Sequence, residues 1–160
     1  MIRNATPNDA QAICDIYNYY VLHTVVTFEE DVVEVNDMAE RIKLVIEKYV
    51  WLVYEEEGVI LGYAYAGEWK SRCSYRFSVE SSVYLKHGFS GNRLGSQLYE
   101  ALFINLKTTK IHAIIGGITL PNDSSIALHE KFGFEKIAQF KEVGFKFDKW
   151  LDVGYWEKII

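Results

Sequence analysis

The chain has 160 residues, 49% of them hydrophobic and 24% charged, the balance of a soluble domain with a sizeable core. A formal net charge of −5 argues against a phosphate-rich polymer as partner, so no nucleic acid is expected, although a loop or helix end can still hold one anionic ligand. Two cysteines without CxxC spacing, four scattered histidines and no apolar run near the roughly 20 residues of a membrane span argue against a disulfide framework, a metal site and a membrane anchor.

No linker, repeat or low-complexity stretch interrupts residues 1–160, so a single domain is expected. The polar start MIRNATPNDA has no signal-peptide pattern, and a cytoplasmic location is the expectation. MIRNA has the pattern of a short edge strand. In TPND, Thr6 can cap, Pro7 suits the first helical position and Asp9 stands three residues after the cap. A helix should follow, with Ala10, Ile13, Ile16, Tyr17 and Tyr20 at helical spacing. A second helix is predicted from Asn36, with Met38, Ile42, Val45 and Tyr49 on one face. WLVYEEEGVILGYAYAGEW predicts a β-hairpin turning at Glu57 and Gly58. The fourth strand is Phe77 to Leu85; alternation puts Glu80, Ser82 and Tyr84 on one face and Val79, Val83 and Leu85 on the other.

A glycine-bearing loop, GFSGNRLG, then leads into a helix showing Leu94, Leu98, Ala101, Leu102 and Leu106 on one side. IHAIIGGIT has the run of a buried strand. Asn122 or Asp123 caps a further helix ending near KFGF, where Gly133 fits a C-cap, and Phe134 to Trp156 supplies two last strands. The order β-α-α-β-β-β-α-β-α-β-β predicts an α/β fold: a mixed, mostly antiparallel central sheet with helices on both faces. Strands 77–85 and 111–118, joined through a helix, should pair in parallel with a right-handed crossover.

The strand–loop–helix unit around GFSGNRLG is where chemistry enters. Backbone N–H groups of residues 90–95 and the positive end of a helix converge there, and a pyrophosphate is the natural guest. The spacing is neither a P-loop, since no Gly-Lys-Ser/Thr follows, nor a Rossmann turn, since the acidic ribose partner is missing. On loop chemistry alone, an ordinary connection with two helpful glycines remains an equal alternative.

The wider context is more specific. RNATPNDAQAICDIYN, YVWLV, GYAYAGEWKSR, SVESSVYL, RLGSQLYEAL, GITLPNDSSIALHEKFGF and VGFKFDKWLDVGYWE, in that order, resemble the GNAT acetyltransferase superfamily, and within it the phosphinothricin and methionine sulfoximine N-acetyltransferases. The resemblance implies a homodimeric N-acetyltransferase that moves acetyl from acetyl-CoA to the α-amine of a small amino-acid-like acceptor. It also implies direct attack in a ternary complex, with the parallel strand pair splayed to form the acetyl-CoA cleft. Ser90, Gly91, Asn92, Arg93, Leu94, Gly95 and Ser96 would meet the pyrophosphate. The backbone of Val83, Tyr84 and Leu85 would pair with the pantetheine arm like an added strand. Asn122, with Ser124 and Ser125, would hold that arm or the product thiol, and Asn122 is also readable as a plain helix cap.

The loop departs from the superfamily pattern of Gln or Arg, two residues, Gly, one residue, then Gly or Ala. Those positions hold Ser90, Arg93 and Gly95. A Cβ at 93 can crowd the phosphate, and is harmless if the local φ is negative, as near a helix start. The guanidinium can then partly replace what the glycine offered, with Gly91 giving the loop slack, or it is simply solvated.

Acetyl transfer needs a base for the ammonium, a donor for the developing oxyanion and an acid for the leaving thiolate. The resemblance gives Glu80 the base role; the alternative is a strand glutamate facing solvent. His129 stands where many superfamily members carry a tyrosine and would shuttle a proton; the alternative is a histidine packed on a helix face. For the acceptor, Arg72 would clamp a carboxylate, Phe28, Trp69, Tyr75 and Phe77 would form an apolar wall, and Lys146 would meet a phosphinate or sulfoximine oxygen. The subfamily's Asn-Phe-Arg is Thr27, Phe28 and Glu29 here, a lost cation that leaves the acceptor's identity open. A different amine, such as a polyamine or peptide N-terminus, and a non-catalytic acyl-CoA-binding module stand as alternatives.

Overall fold

A computed structural model describes residues 1–91 and 93–160. The chain enters through a tight polar turn. The Asp9 carboxylate accepts the Thr6 N–H at 2.7 Å and is bracketed by the Arg3 guanidinium at 2.8 and 2.9 Å, so the single helical turn at Pro7–Asp9 is fixed to strand β1 (Ile2–Asn4). Helices α1 (Ala10–His23) and α2 (Val35–Ile46) follow, then the hairpin β2 (Trp51–Glu56) and β3 (Val59–Glu68), turning at Glu57 and Gly58, both at positive φ. The rest is β4 (Ser78–Leu85), α3 (Leu94–Leu106), β5 (Ala113–Thr119), α4 (Asp123–Lys131), β6 (Glu135–Lys146) and β7 (Lys149–Ile159).

The strands form one seven-stranded sheet in the order β1-β2-β3-β4-β5-β7-β6. Every neighbouring pair is antiparallel except β4 and β5, which run parallel. Alternation along each strand feeds two cores, one on each face. Trp51, Val53 and Tyr63 pack with Ile13 and Ile16 of α1 and Met38 and Ile42 of α2. Leu52, Ala64, Val79, Ile114 and Trp156 pack with Leu98, Tyr99, Leu102 and Leu106 of α3.

One sequence expectation is corrected. Tyr49 does not continue the Met38–Ile42–Val45 stripe: α2 ends at Ile46, the chain turns directly into β2, and the Tyr49 side chain packs with the α3 core on the opposite face of the sheet.

The functional consequence of the topology lies at β4 and β5. They pair over three residues, Ser78–Glu80 against Ala113–Ile115, and then part. Beyond that point β4 stays bonded to β3 as far as Leu85, and β5 to β7 as far as Thr119. Each strand is held by its outer neighbour while the inner edges diverge, so the sheet opens into a fork.

Candidate active site

The fork continues into a cavity of about 480 Å³ between β4, the α3 N-terminus and the α4 N-terminus. Val83, Leu85, Ser90, Gly91, Arg93, Leu94, Gly95, Ser96, Asn122, Ser124 and Ser125 all line it. Asn92 lies outside the described residues. The Tyr84 side chain points to the other face, edge-on to Tyr17 and Tyr20 and stacked on Tyr63, as strand alternation requires.

At the mouth, the N–H groups of Leu94, Gly95 and Ser96 belong to the first turn of α3, where no intrahelical acceptor exists. With the helix dipole they are donors of the kind that suits an anion. Arg93 caps this helix at φ +60°, in the left-handed region. The negative φ that would have made its Cβ harmless is not adopted: the loop keeps a backbone suited to glycine and places an arginine on it. Gly91, at φ +92°, supplies a second such turn. The carboxamide oxygen of Asn122 accepts the Ser125 N–H and the Ser124 hydroxyl, both at 3.1 Å, which caps α4 and leaves the amide NH2 as the group to meet a ligand.

Tyr20, Val26, Leu128 and Lys131 also line the cavity and had been missed. The Tyr20 hydroxyl donates to the Leu85 carbonyl at 2.7 Å, tying α1 to the end of β4, and the Lys131 ammonium donates to the Ser96 hydroxyl at 2.9 Å, bringing a cation to the first turn of α3. In sequence Tyr20 carried only the signal of a helix face and Lys131 that of a solvated helix end.

Glu80 sits at the last parallel pair, Glu80 with Ile115, where the fork begins. Its carboxylate lies against Gly117 and beside Tyr155; a Cβ at Gly117 would stand 3.1 Å from Glu80 Oε1. Burial pushes its pKa above the ordinary glutamate value. That is the direction wanted in a base that works near neutral pH.

His129 is buried and lines no part of this cavity. Its Nδ1 meets the Ser125 carbonyl at 2.7 Å and its Nε2 meets the Tyr99 hydroxyl at 3.1 Å; Tyr99 in turn lies 3.4 Å from the Ser81 hydroxyl. A neutral ring that donates at Nδ1 and accepts at Nε2 satisfies both contacts, and burial pushes its pKa down, in keeping with that form.

The residues expected around the acceptor are spread over three places. Trp69 stands edge-on to Tyr155 at 5.6 Å, and so belongs to the Glu80 neighbourhood. Phe28 rests its ring on the backbone of Gly144, where any Cβ would collide with it. Lys146 is 1% exposed, and its ammonium donates to the Thr27 carbonyl at 2.8 Å, so it grips the loop that carries Phe28. Arg72, Tyr75 and Phe77 line surface bays at the β3–β4 connection together with Lys70 and Ser71. In the loop after α1, Glu29 bonds Arg41 of α2 through both carboxylate oxygens at 2.6 and 3.0 Å, so the position where the subfamily has a cation attracts one from another element. Among the described residues no cluster of His, Cys, Asp or Glu could hold a metal ion, and no helix is long and apolar enough to cross a membrane.

Comparison with known proteins agrees with this arrangement. The acetyltransferase (GNAT) domain family matches residues 2–154. The chain is 38% identical to a phosphinothricin N-acetyltransferase of Streptomyces viridochromogenes, covering 98% of this chain and 86% of that protein. It is also 38% identical to the L-methionine sulfoximine/L-methionine sulfone acetyltransferase of Salmonella typhimurium, covering 96% and 91%. A GNAT superfamily phosphinothricin acetyltransferase of Sinorhizobium meliloti, solved in complex with acetyl-CoA, superposes with a TM-score of 0.96 at 34% identity over 100% of this chain and 88% of that one. A forked sheet with the first-turn N–H groups of α3 at its mouth, matched in sequence and in fold over almost the whole chain, makes this protein a member of the GNAT family, an N-acetyltransferase whose acetyl donor is acetyl-CoA.

Proposed function

We propose that the protein acetylates the α-amine of a small amino-acid-like acceptor of the phosphinothricin, methionine sulfoximine or methionine sulfone type, by direct attack in a ternary complex. The observation that carries this reading is Glu80: a carboxylate raised in pKa by burial, at the point where β4 and β5 part. Glu80, directly or through a water, takes a proton from the acceptor ammonium. The freed amine attacks the thioester carbonyl carbon, and the C–S bond breaks as the C–N bond is completed. The thiolate leaves and takes up the second proton, which the attacking nitrogen sheds as it becomes the amide. The first-turn N–H groups of α3, with Arg93 and Lys131, hold the pyrophosphate of the donor, and the inner edge of β4, which has no strand partner beyond Glu80, receives its pantetheine arm at Val83 and Leu85.

His129 acts from behind β4 rather than in the cleft. It fixes Tyr99 and, through it, Ser81, the residue next to Glu80. The acceptor lies on the Glu80 face, between the Phe28 loop and the Trp69–Tyr155 pair, in a homodimer in which residues 1–160 of each protomer fold as a single GNAT domain. The cytoplasm is the compartment that goes with this reading.

The test is acetyl transfer to a panel of amines with product detected by mass. Acetylation of methionine sulfoximine, phosphinothricin and methionine sulfone, with polyamines left untouched, is the expected result. Transfer to polyamines or peptide N-termini in preference to all three would overturn the acceptor class. Donor binding without transfer to any amine would favour a non-catalytic acyl-CoA-binding module.

A further inference from the structure

At the far end of α3 from the acetyl-CoA cleft lies a second concave site, whose lining shares only Arg72 and Phe77 with the residues expected around the acceptor. The 13 residues of α3 span about 20 Å, and the two sites sit at its opposite ends. This bay, of about 430 Å³, is lined by Lys48 from the α2–β2 turn, Lys70, Arg72 and Arg76 from the β3–β4 connection, and Lys110 from the α3–β5 turn; Glu68 is the single acid in its wall. Its apolar part is Tyr49, Phe77 and Ile111.

Five cations against one carboxylate is the reverse of the chain's own balance of 17 Lys and Arg to 22 Asp and Glu. Among the described residues none of the five is in an ion pair; those pairs belong to Arg3, Arg41 and Lys43. Two of the five are held in place. Arg76 donates to the Cys73 carbonyl at 3.0 Å and lies 4.4 Å over the Phe77 ring, and the Lys70 ammonium stands 5.4 Å from the Trp69 ring and 5.8 Å from that of Tyr75. Like charges with only Glu68 to oppose them repel one another, and an anion that spans them recovers that energy. A single carboxylate or orthophosphate matches too little of a charge of this size; a chain of phosphates matches it.

We propose that this bay binds a polyphosphate anion, either free or as the tail of a nucleoside polyphosphate whose base lies on Tyr49, Phe77 and Ile111. Because the resemblance to the family gives Arg72 an acceptor role, the test leaves it untouched. Tripolyphosphate, ATP, AMP and orthophosphate are titrated calorimetrically into protein saturated with CoA, so that the cleft is closed to them, at about 0.15 M salt. The expected result is a one-to-one complex with tripolyphosphate, at least about tenfold tighter than with AMP or orthophosphate. The double variant Lys48→Glu/Lys110→Glu should weaken it at least about tenfold while kcat and KM for acetyl transfer stay as they were. ATP binding more tightly than tripolyphosphate places the base on the apolar wall; equal binding assigns the bay to the phosphate chain alone. No binding to the CoA-saturated protein, or equal binding by the double variant, would overturn the proposal.

Discussion

At the scale of single residues, the roles proposed for Glu80 and Arg93 would each set function against local stability. The raised pKa of Glu80 means that the folded state prefers its protonated form. Its contribution to stability is therefore whole below the ordinary glutamate pKa and is lost as pH rises through the raised folded value. Wherever the carboxylate is ionised it costs stability, and in the proposed mechanism that ionised form is the base. Glu80→Gln should raise the thermal midpoint at neutral pH and lower turnover by about a hundredfold or more, with donor affinity kept. It should also remove the acidic limb of the kcat/KM profile; a retained limb would assign that titration to another group. Arg93, at φ +60°, bears the cost of a left-handed non-glycine residue. In Arg93→Gly the relief of that strain is offset by greater chain entropy in the unfolded state, so stability should move by less than about 1 kcal/mol. The visible change should be electrostatic: a higher KM for acetyl-CoA that depends less steeply on salt than in the parent. An unchanged salt dependence would mean that the guanidinium points away from the phosphates. The facing of Glu80 was legible from strand alternation. The φ of Arg93 was not, because a residue capping a helix N-terminus ordinarily has an extended backbone with negative φ, and only the surrounding loop imposes the exception.

At the scale of elements, the loop between α1 and α2 is anchored to three partners. Asn18 of α1 bonds both backbone groups of Val33, at 2.8 and 3.0 Å; Arg41 of α2 bonds Glu29; and β6 contributes the Lys146 bond to Thr27 and the bare Gly144 backbone under Phe28. Gly144→Ala should therefore dislodge the Phe28 ring, raising the acceptor KM severalfold with the acetyl-CoA KM unaltered. Equal effects on both KM values would show that the loop belongs to the whole cleft and not to the acceptor side. None of these ties was visible in sequence, because each joins a loop residue to a different element outside the reach of helix or strand periodicity, from 12 positions away for Glu29 and Arg41 to 119 for Thr27 and Lys146. The order of helices and strands was legible throughout, since caps, hairpin turn and periodicity are local. The exception, Tyr49, fails for the same physical reason: helical spacing cannot tell where a chain will cross to the other face of a sheet. His129 is a further case. Its folded pKa is depressed by burial, so its contribution to stability is present above the ordinary histidine value and is lost as pH falls towards the folded one. The parent should lose stability on acidification through this range, and His129→Gln should lose less. A pH-independent difference between the two would remove His129 from that account.

At the scale of the molecule, β6 poses the question of assembly. It is the edge strand of the sheet, 12 residues long and exposed over most of its length. Phe140, Val143 and Phe145 on it, and Trp150 on β7, are each at least half exposed, with Phe145 and Trp150 forming a tilted pair at 4.8 Å. A long apolar edge left open to water is an aggregation hazard, and a second copy of the chain is the partner that the proposed homodimer provides. The patch is also continuous with the site: Phe140 touches Tyr155 at 5.7 Å, Tyr155 lies beside Glu80, and Gly144 carries Phe28. Assembly through this edge would therefore close one side of the acceptor pocket while leaving the acetyl-CoA cleft, at the opposite end of β4, untouched. Phe145→Asp combined with Trp150→Asp should give a monomer by light scattering. That monomer should bind acetyl-CoA as the parent does and show an acceptor KM raised about tenfold or more. A monomeric parent would remove the assembly outright, and a monomeric variant with the parent's acceptor KM would show that each protomer completes its own pocket. The sequence could suggest a dimer only through family resemblance, because in an alternating strand the residues that pack inside and those that meet a partner are of the same apolar kinds. Only the sheet order, by putting β6 at the edge, separates them.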